Sequence, residues 1–193
     1  MNTESPEIKD HLLRYVFSYK IADHVCDQIV AELKESTWEP HRWYNSKENY
    51  YYTNKHDPFE SYLNSSSVDE LRDVVWDSLM QYGRVNSPHK KDYIVKYSHP
   101  KFNRYKVDQR MDVHVDHTKS LFGADENGNR GIPVMSIVGC LNDDFEGGEF
   151  LMRNIHLPMK KGHMIVFPSL FLFDHEVKPV TSGTRYSFVT WAW

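Results

Sequence analysis

Cysteine is almost absent from this chain, and the loss removes whole classes of chemistry. Only Cys26 and Cys140 are present, far apart and outside any Cys-x-x-Cys spacing. That pattern excludes a disulfide framework and a cysteine zinc site, and it points to a reducing compartment. Long hydrophobic runs are missing too. The most apolar stretch, residues 164–173, spans about ten positions and contains Pro168, too short to cross a bilayer. The first ten residues are polar and acidic with no apolar core segment, so no signal peptide is visible, no membrane partner is expected, and the expected location is cytoplasmic. Basic runs are confined to the Lys90-Lys91 and Lys160-Lys161 pairs, under a net charge of −4. A nucleic-acid partner would need a basic stripe, so none is expected. There is no Gly-x-Ser-x-Gly nucleophile elbow, and no Lys-Ser/Thr follows Gly147-Gly148 to make a phosphate loop.

What is abundant is aromatic. Twelve Tyr, 10 Phe and 5 Trp stand among 193 residues, 40% of which are hydrophobic, a composition of folded globules rather than disordered chains. The length fits one domain with one substantial core, and no repeat or linker divides it. Residues 1–90 are expected to form a helical N-terminal layer. Apolar positions 22, 25, 26, 29, 30 and 33 predict a helix over 22–35 with Asp23 as its cap. Ser67 to Glu70 has the form of a capping box, starting a helix that runs to Gly83. Between the helices, residues 38–64 carry Trp43, Tyr44, Tyr50, Tyr51 and Tyr52. Two roles suit that segment: irregular packing over the core, or a lid or groove that receives substrate.

From about residue 91 the texture changes to short β-type runs separated by turn residues. Strands are expected at Tyr93–Tyr97, Asn103–Val115, Pro133–Leu141, Glu149–Arg153, Gly162–Pro168 and Arg185–Trp193. Strand–turn–strand rhythm favours an antiparallel sandwich or barrel over a parallel α/β sheet. The expected fold class is therefore mainly β with flanking helices (α+β), and Thr118–Gly131 is expected to be a polar loop at the barrel mouth.

Four residues in the β-rich half suggest chemistry. His114 and Asp116 are two apart, His175 follows, and Arg185 lies ten residues further on. Two imidazoles and a carboxylate form the facial triad that holds non-heme ferrous iron with open coordination positions. A His-x-Asp triplet alone means little, since roughly one is expected by chance in a chain this rich in His and Asp. Context adds weight. Residues two apart on a strand share a face, His175 is placed as a ligand from a facing sheet should be, and Arg185 opens the last strand. His117 falls on the opposite strand face and is expected to be no ligand. His156 and His163 lack a partner carboxylate at useful spacing.

Around these four the sequence resembles the iron(II)/2-oxoglutarate-dependent dioxygenases, in their prolyl 4-hydroxylase-like branch. The matching string is Tyr105, His114-Val-Asp116, Leu141-Asn142, Gly147-Gly-Glu149, Gly162, Val166-Phe-Pro-Ser169, His175-Glu-Val177, Pro179-Val180, Gly183-Thr-Arg-Tyr-Ser187 and Trp191. The resemblance implies a double-stranded β-helix, or jelly-roll, core over 91–193 in a single catalytic domain. It implies ferrous iron on His114, Asp116 and His175, with 2-oxoglutarate and O₂ as co-substrates and ascorbate as reductant. Arg185 would hold the remote carboxylate of 2-oxoglutarate, Tyr105 would hydrogen-bond the same molecule, and Trp191 would wall the pocket. The implied reaction hydroxylates an unactivated C–H bond and releases succinate and CO₂.

A peptidyl proline hydroxylated at C4 is the favoured substrate, which makes a protein or peptide the expected partner. A free amino acid, another small metabolite, or an inactive jelly-roll binding module are the alternatives. Asp116 speaks against a halogenase, and the lack of a second arginine after Arg185 speaks against a nucleic-acid demethylase. Two positions depart from the family. Asp108 stands where a glycine is frequent, so the local turn is expected to differ. Cys140 replaces a second tyrosine, which shifts the grip on co-substrate to Arg185 and marks an oxidation-sensitive position. Nothing in the sequence bears on oligomeric state.

Overall fold

The computed structural model describes residues 11–45, 48, 50–54, 56–89, 94–116 and 132–193. Tyr93, His117, the pair Lys90-Lys91 and the 118–131 loop lie outside the described residues. The chain order is β1 (Phe17–Lys20), α1 (Asp23–Glu35), β2 (Glu39–Pro40), β3 (Trp43–Asn45), β4 (Tyr50–Tyr52), β5 (Phe59–Ser61) and α2 (Ser66–Asn86). It continues through β6 (Lys101–Tyr105), β7 (Met111–His114), β8 (Met135–Cys140), β9 (Phe145–Gly147), β10 (Phe150–Met152) and β11 (Ile155–Leu157). The last four strands are β12 (His163–Pro168), β13 (His175–Val177), β14 (Val180–Gly183) and β15 (Arg185–Ala192). Residues 1–90 thus supply strands as well as helices, because β1, β2 and β5 join the major sheet.

That sheet has seven strands in the order β1-β12-β8-β15-β6-β5-β2, and a four-stranded sheet, β11-β10-β13-β7, faces it. Every strand pairing is antiparallel, as the strand rhythm predicted. The period of two sorts the side chains of the major sheet onto two faces. Phe102, Ile137, Met164, Val166 and Phe188 turn outward and meet Ile29, Leu33, Leu71 and Leu79 of the helices. Tyr105, Val138, Ile165, Phe167 and Val189 turn inward and meet Met111, Phe150, Met152 and Val177 of the smaller sheet. With apolar groups on both faces, β8 is buried throughout and its sequence, broken only by Ser136, is mostly apolar rather than alternating. At Gly139 of β8 an added Cβ would lie 2.1 Å from the Phe188 ring.

Both helices differ from expectation at their ends. Asp23 is not the cap of α1. Ala22 holds that position without a side-chain bond, and Asp23 lies in the first turn, where its charge suits the positive end of the helix. The capping box of α2 does not form. Its N-cap is Ser65, which makes no side-chain cap bond, and Ser67 Oγ instead donates to Glu32 Oε1 of α1 at 2.9 Å. Gly83 is buried within α2 rather than ending it, and the Ser87 N–H closes the last turn on the Gly83 carbonyl. An interior glycine costs only about 1 kcal/mol, which the packing of that turn offsets.

Two strand expectations also change. Residues 94–97 form no strand; Tyr97 makes one bridge to Ala192, and the Val95 and Lys96 N–H groups both reach the Trp193 carbonyl. The stretch 103–115 divides into β6 and β7 around Asp108, whose φ is 67°. Asp tolerates this left-handed conformation better than most residues, so the aspartate adopts the backbone a glycine would and the turn survives.

Candidate active site

The inner ends of β7, β13 and β15 converge on one cavity of about 490 Å³, within the usual size range of small-molecule sites. His114 ends β7, and His175 begins β13. The two are direct Cα partners across the β7–β13 pair, so both histidines come from the same sheet and not from facing sheets. Asp116 lies two residues past the end of β7, where the chain bends. Ligand atoms of His114, Asp116 and His175 all fall within 4.8 Å of one another, forming a group suited to a metal ion among the described residues. His114 Nε2 is 3.8 Å from Asp116 Oδ1, and His175 Nε2 is 3.8 Å from Oδ2.

Hydrogen bonding decides which face of each imidazole the cavity sees. His114 Nδ1 lies 2.8 Å from the Asp112 carbonyl and His175 Nδ1 lies 3.0 Å from the Phe173 carbonyl. A carbonyl only accepts, so each Nδ1 carries a proton and each ring turns Nε2, the nitrogen whose lone pair can bind a metal, toward Asp116. Burial and the adjacent His175 push His114 down to about 4, which keeps that lone pair available near neutral pH. Burial pushes the Asp116 carboxyl up, but the two imidazoles and hydrogen bonds from Ser136 and Trp191 outweigh it and hold it below the ordinary value. Asp116 Oδ2 is nonetheless buried with no hydrogen-bond partner. Phe150 stacks on His175 at 5.4 Å, and the Phe167 ring meets it edge-on at 5.3 Å. Trp43 meets His114 edge-on at 5.1 Å.

Arg185 is the largest fully buried side chain, 1% exposed. Among the described residues its Nε, Nη1 and Nη2 find no hydrogen-bond partner. Its surroundings are built with care even so. Asn142 Nδ2 donates to the Thr184 carbonyl and its Oδ1 accepts from the Tyr186 N–H, both at 2.7 Å, which pins the backbone on either side of Arg185. At Gly148, with φ of +63°, a Cβ would lie 3.0 Å from Arg185 Cδ, so the glycine leaves room for the arginine stem. The guanidinium carbon stands 5.2 Å from the Tyr105 ring centre. Burial raises the Tyr105 hydroxyl to about 12, so it stays protonated as a donor.

A guanidinium with no partner is costly to bury, and the stable resolution is an anion bonded across its fork. Two unmatched groups, the Asp116 oxygen and the Arg185 guanidinium, thus line one cavity. The donor set fits a divalent metal with nitrogen and oxygen ligands and a carboxylate-bearing small molecule. Trp191 lines the cavity as expected. Cys140 does not suit an oxidation-sensitive role. It is fully buried, its Sγ contacts the Asn142 carbonyl at 3.2 Å, and burial raises its thiol above the ordinary value, which disfavours the reactive thiolate.

Sequence reasoning overlooked Lys101, Asn103 and His41, all of which line the cavity. For the first two a signal was present, since positions 101, 103 and 105 alternate on the strand that carries Tyr105. His41 arrives through tertiary folding, with no local sign. Of the aromatic segment, Trp43 and Tyr51 line the cavity, and Tyr51 is exposed at its rim together with Tyr50 and Tyr52.

Comparison with known proteins agrees with this geometry. Residues 100–193 match the 2OG-Fe(II) oxygenase superfamily, whose members work with ferrous iron, 2-oxoglutarate and O₂. A PKHD-type hydroxylase of Stenotrophomonas maltophilia is 33% identical over 106 residues, covering 50% of this chain and 44% of the relative. One from Paracoccus denitrificans is 32% identical over 99 residues, covering 48% and 42%. The chain thus matches less than half the length of these relatives. Among solved structures, a Pseudomonas putida prolyl-4-hydroxylase superposes with a TM-score of 0.67 at 14% identity, over 96% of this chain and 97% of that one. The viral collagen prolyl hydroxylase of Paramecium bursaria Chlorella virus-1 gives 0.66 at 17% identity, over 92% and 94%. Likeness at such identities establishes the shared jelly-roll fold. Residues 100–193 are therefore similar to the 2OG-Fe(II) oxygenase superfamily, and the chain shares the fold of the solved prolyl hydroxylases.

Proposed function

We propose that this protein is an iron(II)- and 2-oxoglutarate-dependent dioxygenase that hydroxylates an unactivated C–H bond, most favourably in a peptidyl proline. The observation that carries the reading is the buried Arg185 guanidinium, with no hydrogen-bond partner among the described residues, in the same cavity as His114, Asp116 and His175. In this reading the two Nε2 atoms and the Asp116 carboxylate hold ferrous iron. When bound, iron with 2-oxoglutarate and O₂ supplies the oxidising power, leaving succinate and CO₂. The protein positions and excludes. Arg185 takes the far carboxylate of 2-oxoglutarate as a two-pronged fork, Tyr105 donates a hydrogen bond to the same molecule, and Phe150, Phe167 and Trp43 keep the imidazoles in place. Trp191 walls the pocket and fixes Asp116.

A peptide substrate is supported by the β3–β4 hairpin, whose Trp43 and Tyr51 line the cavity mouth beside exposed Tyr50 and Tyr52. Aromatic walls of this kind accept extended, proline-containing chains, and the hairpin would act as the substrate-side lid. The prolyl hydroxylase of Trichoplax adhaerens, solved with a hypoxia inducible factor peptide fragment, shares the fold with a TM-score of 0.67. The test is direct. Purified protein with ferrous iron, 2-oxoglutarate and ascorbate should form succinate, and mass spectrometry of a peptide library should find one added oxygen on proline. Iron-loaded protein that makes no succinate with any substrate would sink the oxygenase reading. Oxygen added only to free amino acids would favour a metabolite hydroxylase.

A further inference from the structure

A second polar cluster lines the cavity and has no part in holding iron or 2-oxoglutarate. Lys101 Nζ lies 3.2 Å from Glu60 Oε2 and 3.4 Å from His41 Nδ1, and His41 Nδ1 is 3.1 Å from the same Glu60 oxygen. All three residues are at least nine-tenths buried. The ammonium also stands 5.3 Å from the Trp191 ring centre. Next on the same strand face comes Asn103, 5% exposed, whose Oδ1 has no hydrogen-bond partner among the described residues. Both Lys101 and Asn103 line the cavity.

Strand register shows that this cluster is separate from the co-substrate's place. Across β6 and β15, Arg185 pairs with Tyr105, Ser187 with Asn103 and Val189 with Lys101. Four residues of extended strand put Lys101 roughly 13 Å from Tyr105. A five-carbon dicarboxylate spans roughly 7 Å from ordinary bond lengths, about half the backbone distance from Tyr105 to Lys101, whose ammonium is turned to Glu60 and His41. The far end of the cavity is left for the primary substrate.

We propose that Lys101 and Asn103 anchor the backbone of a peptide substrate, Lys101 donating to a neutral amide carbonyl and Asn103 Oδ1 accepting an amide N–H. This inference rests on the oxygenase reading above and names the substrate class of that site. The charge balance selects amide over carboxylate. Glu60 already neutralises Lys101, burial lowers the affinity of His41 for a proton, and the cluster carries no net charge. An incoming carboxylate would lie against that of Glu60, whereas a carbonyl would not. The ammonium has three donors, and Glu60 is its charged partner among the described residues. Asn103 and Lys101 are one strand repeat apart, about 7 Å, which suits successive groups along an extended backbone. A free amino acid meets the site with a full carboxylate and has no amide.

The experiment measures binding as well as turnover. Manganese-loaded protein with 2-oxoglutarate is titrated with N-acetylated, C-amidated proline-containing pentapeptides and with free L-proline, for wild type and for the double variant Lys101→Met, Glu60→Gln. The double change avoids leaving a lone carboxylate buried. Capped peptides should bind wild type better than free proline, and the double variant should weaken them about ten- to a hundredfold while affinity for 2-oxoglutarate stays within about twofold. If the double variant fails to fold by circular dichroism, Asn103→Leu carries the same expectation. A library without a binder, peptide affinity untouched by both variants, free proline preferred to every capped peptide, or a matching loss of 2-oxoglutarate affinity each overturns the anchor. Succinate release by the iron-loaded wild type is measured alongside. Peptide binding without succinate counts against the oxygenase reading alone, and succinate with unaltered peptide affinity counts against the anchor alone.

Discussion

Arg185 brings a permanent positive charge into the interior, where no described residue hydrogen-bonds it. Arg185→Gln should therefore raise the 2-oxoglutarate requirement about a hundredfold while metal binding persists, read from KM for 2-oxoglutarate and from metal content. His175→Ala should do the reverse, abolishing iron retention measured by elemental analysis after dialysis. The imidazoles also make a statement about acid. His114 is depressed to about 4 from an ordinary 6.5, so the unfolded chain binds its proton first as the pH falls. The stability it contributes is fully present above about 6.5 and is lost as the pH falls through about 4. Metal-free protein should lose melting temperature over that window, and His114→Asn should flatten the slope; equal slopes would show that His114 is not the group responsible.

At the scale of elements, the site depends on one pairing. The register of β13 against β7 places His175 opposite His114, so a slip by one residue would turn one imidazole out of the cavity. That register is non-local, which is why the sequence suggested the ligands yet assigned them to facing sheets. Helix ends were obscure for a related reason. Ser67 had the right spacing for a cap, but a carboxylate from α1 competed for its hydroxyl. Strand interiors were easier, because burial on both faces leaves mostly apolar stretches such as 137–141 around β8 and 164–168 in β12. Two element-level changes follow. Gly139→Ala should destabilise the protein by about 1–3 kcal/mol in chemical denaturation, since the new methyl meets the Phe188 ring. Trp43→Phe removes the 2.6 Å bond to Asp57 Oδ2 and should speed amide exchange in β3 and β4 without altering exchange in β8.

Taken whole, the molecule joins two halves that differ in how much their sequence discloses. The β-rich half displays its iron-site candidates as a string with characteristic spacings. The His41, Glu60 and Lys101 cluster draws on three separate segments, and no local pattern announces that they meet. The two halves also share one sheet. Residues 94–193 alone would bare the outer face of that sheet, where Phe102, Ile137 and Phe188 now meet α1 and α2. Such a fragment should bind a hydrophobic dye and lack near-ultraviolet circular dichroism; a cooperative melt would show that the helices are dispensable.

The place of β15 carries a consequence for how the molecule is made. It lies between β8 and β6 at the centre of the major sheet, although it follows every other strand in the chain. Translation delivers the neighbours first and the strand that joins them last. Until β15 has left the ribosome, β6 and β8 cannot be bridged, and the oily faces of α1 and α2 have no finished surface to settle on. Folding of this kind is dominated by long-range closure, and it is slow and prone to aggregation on the way. Newborn chains of this protein should therefore dwell on chaperones, and yield in a cell should respond to chaperone supply more than to changes at the active site.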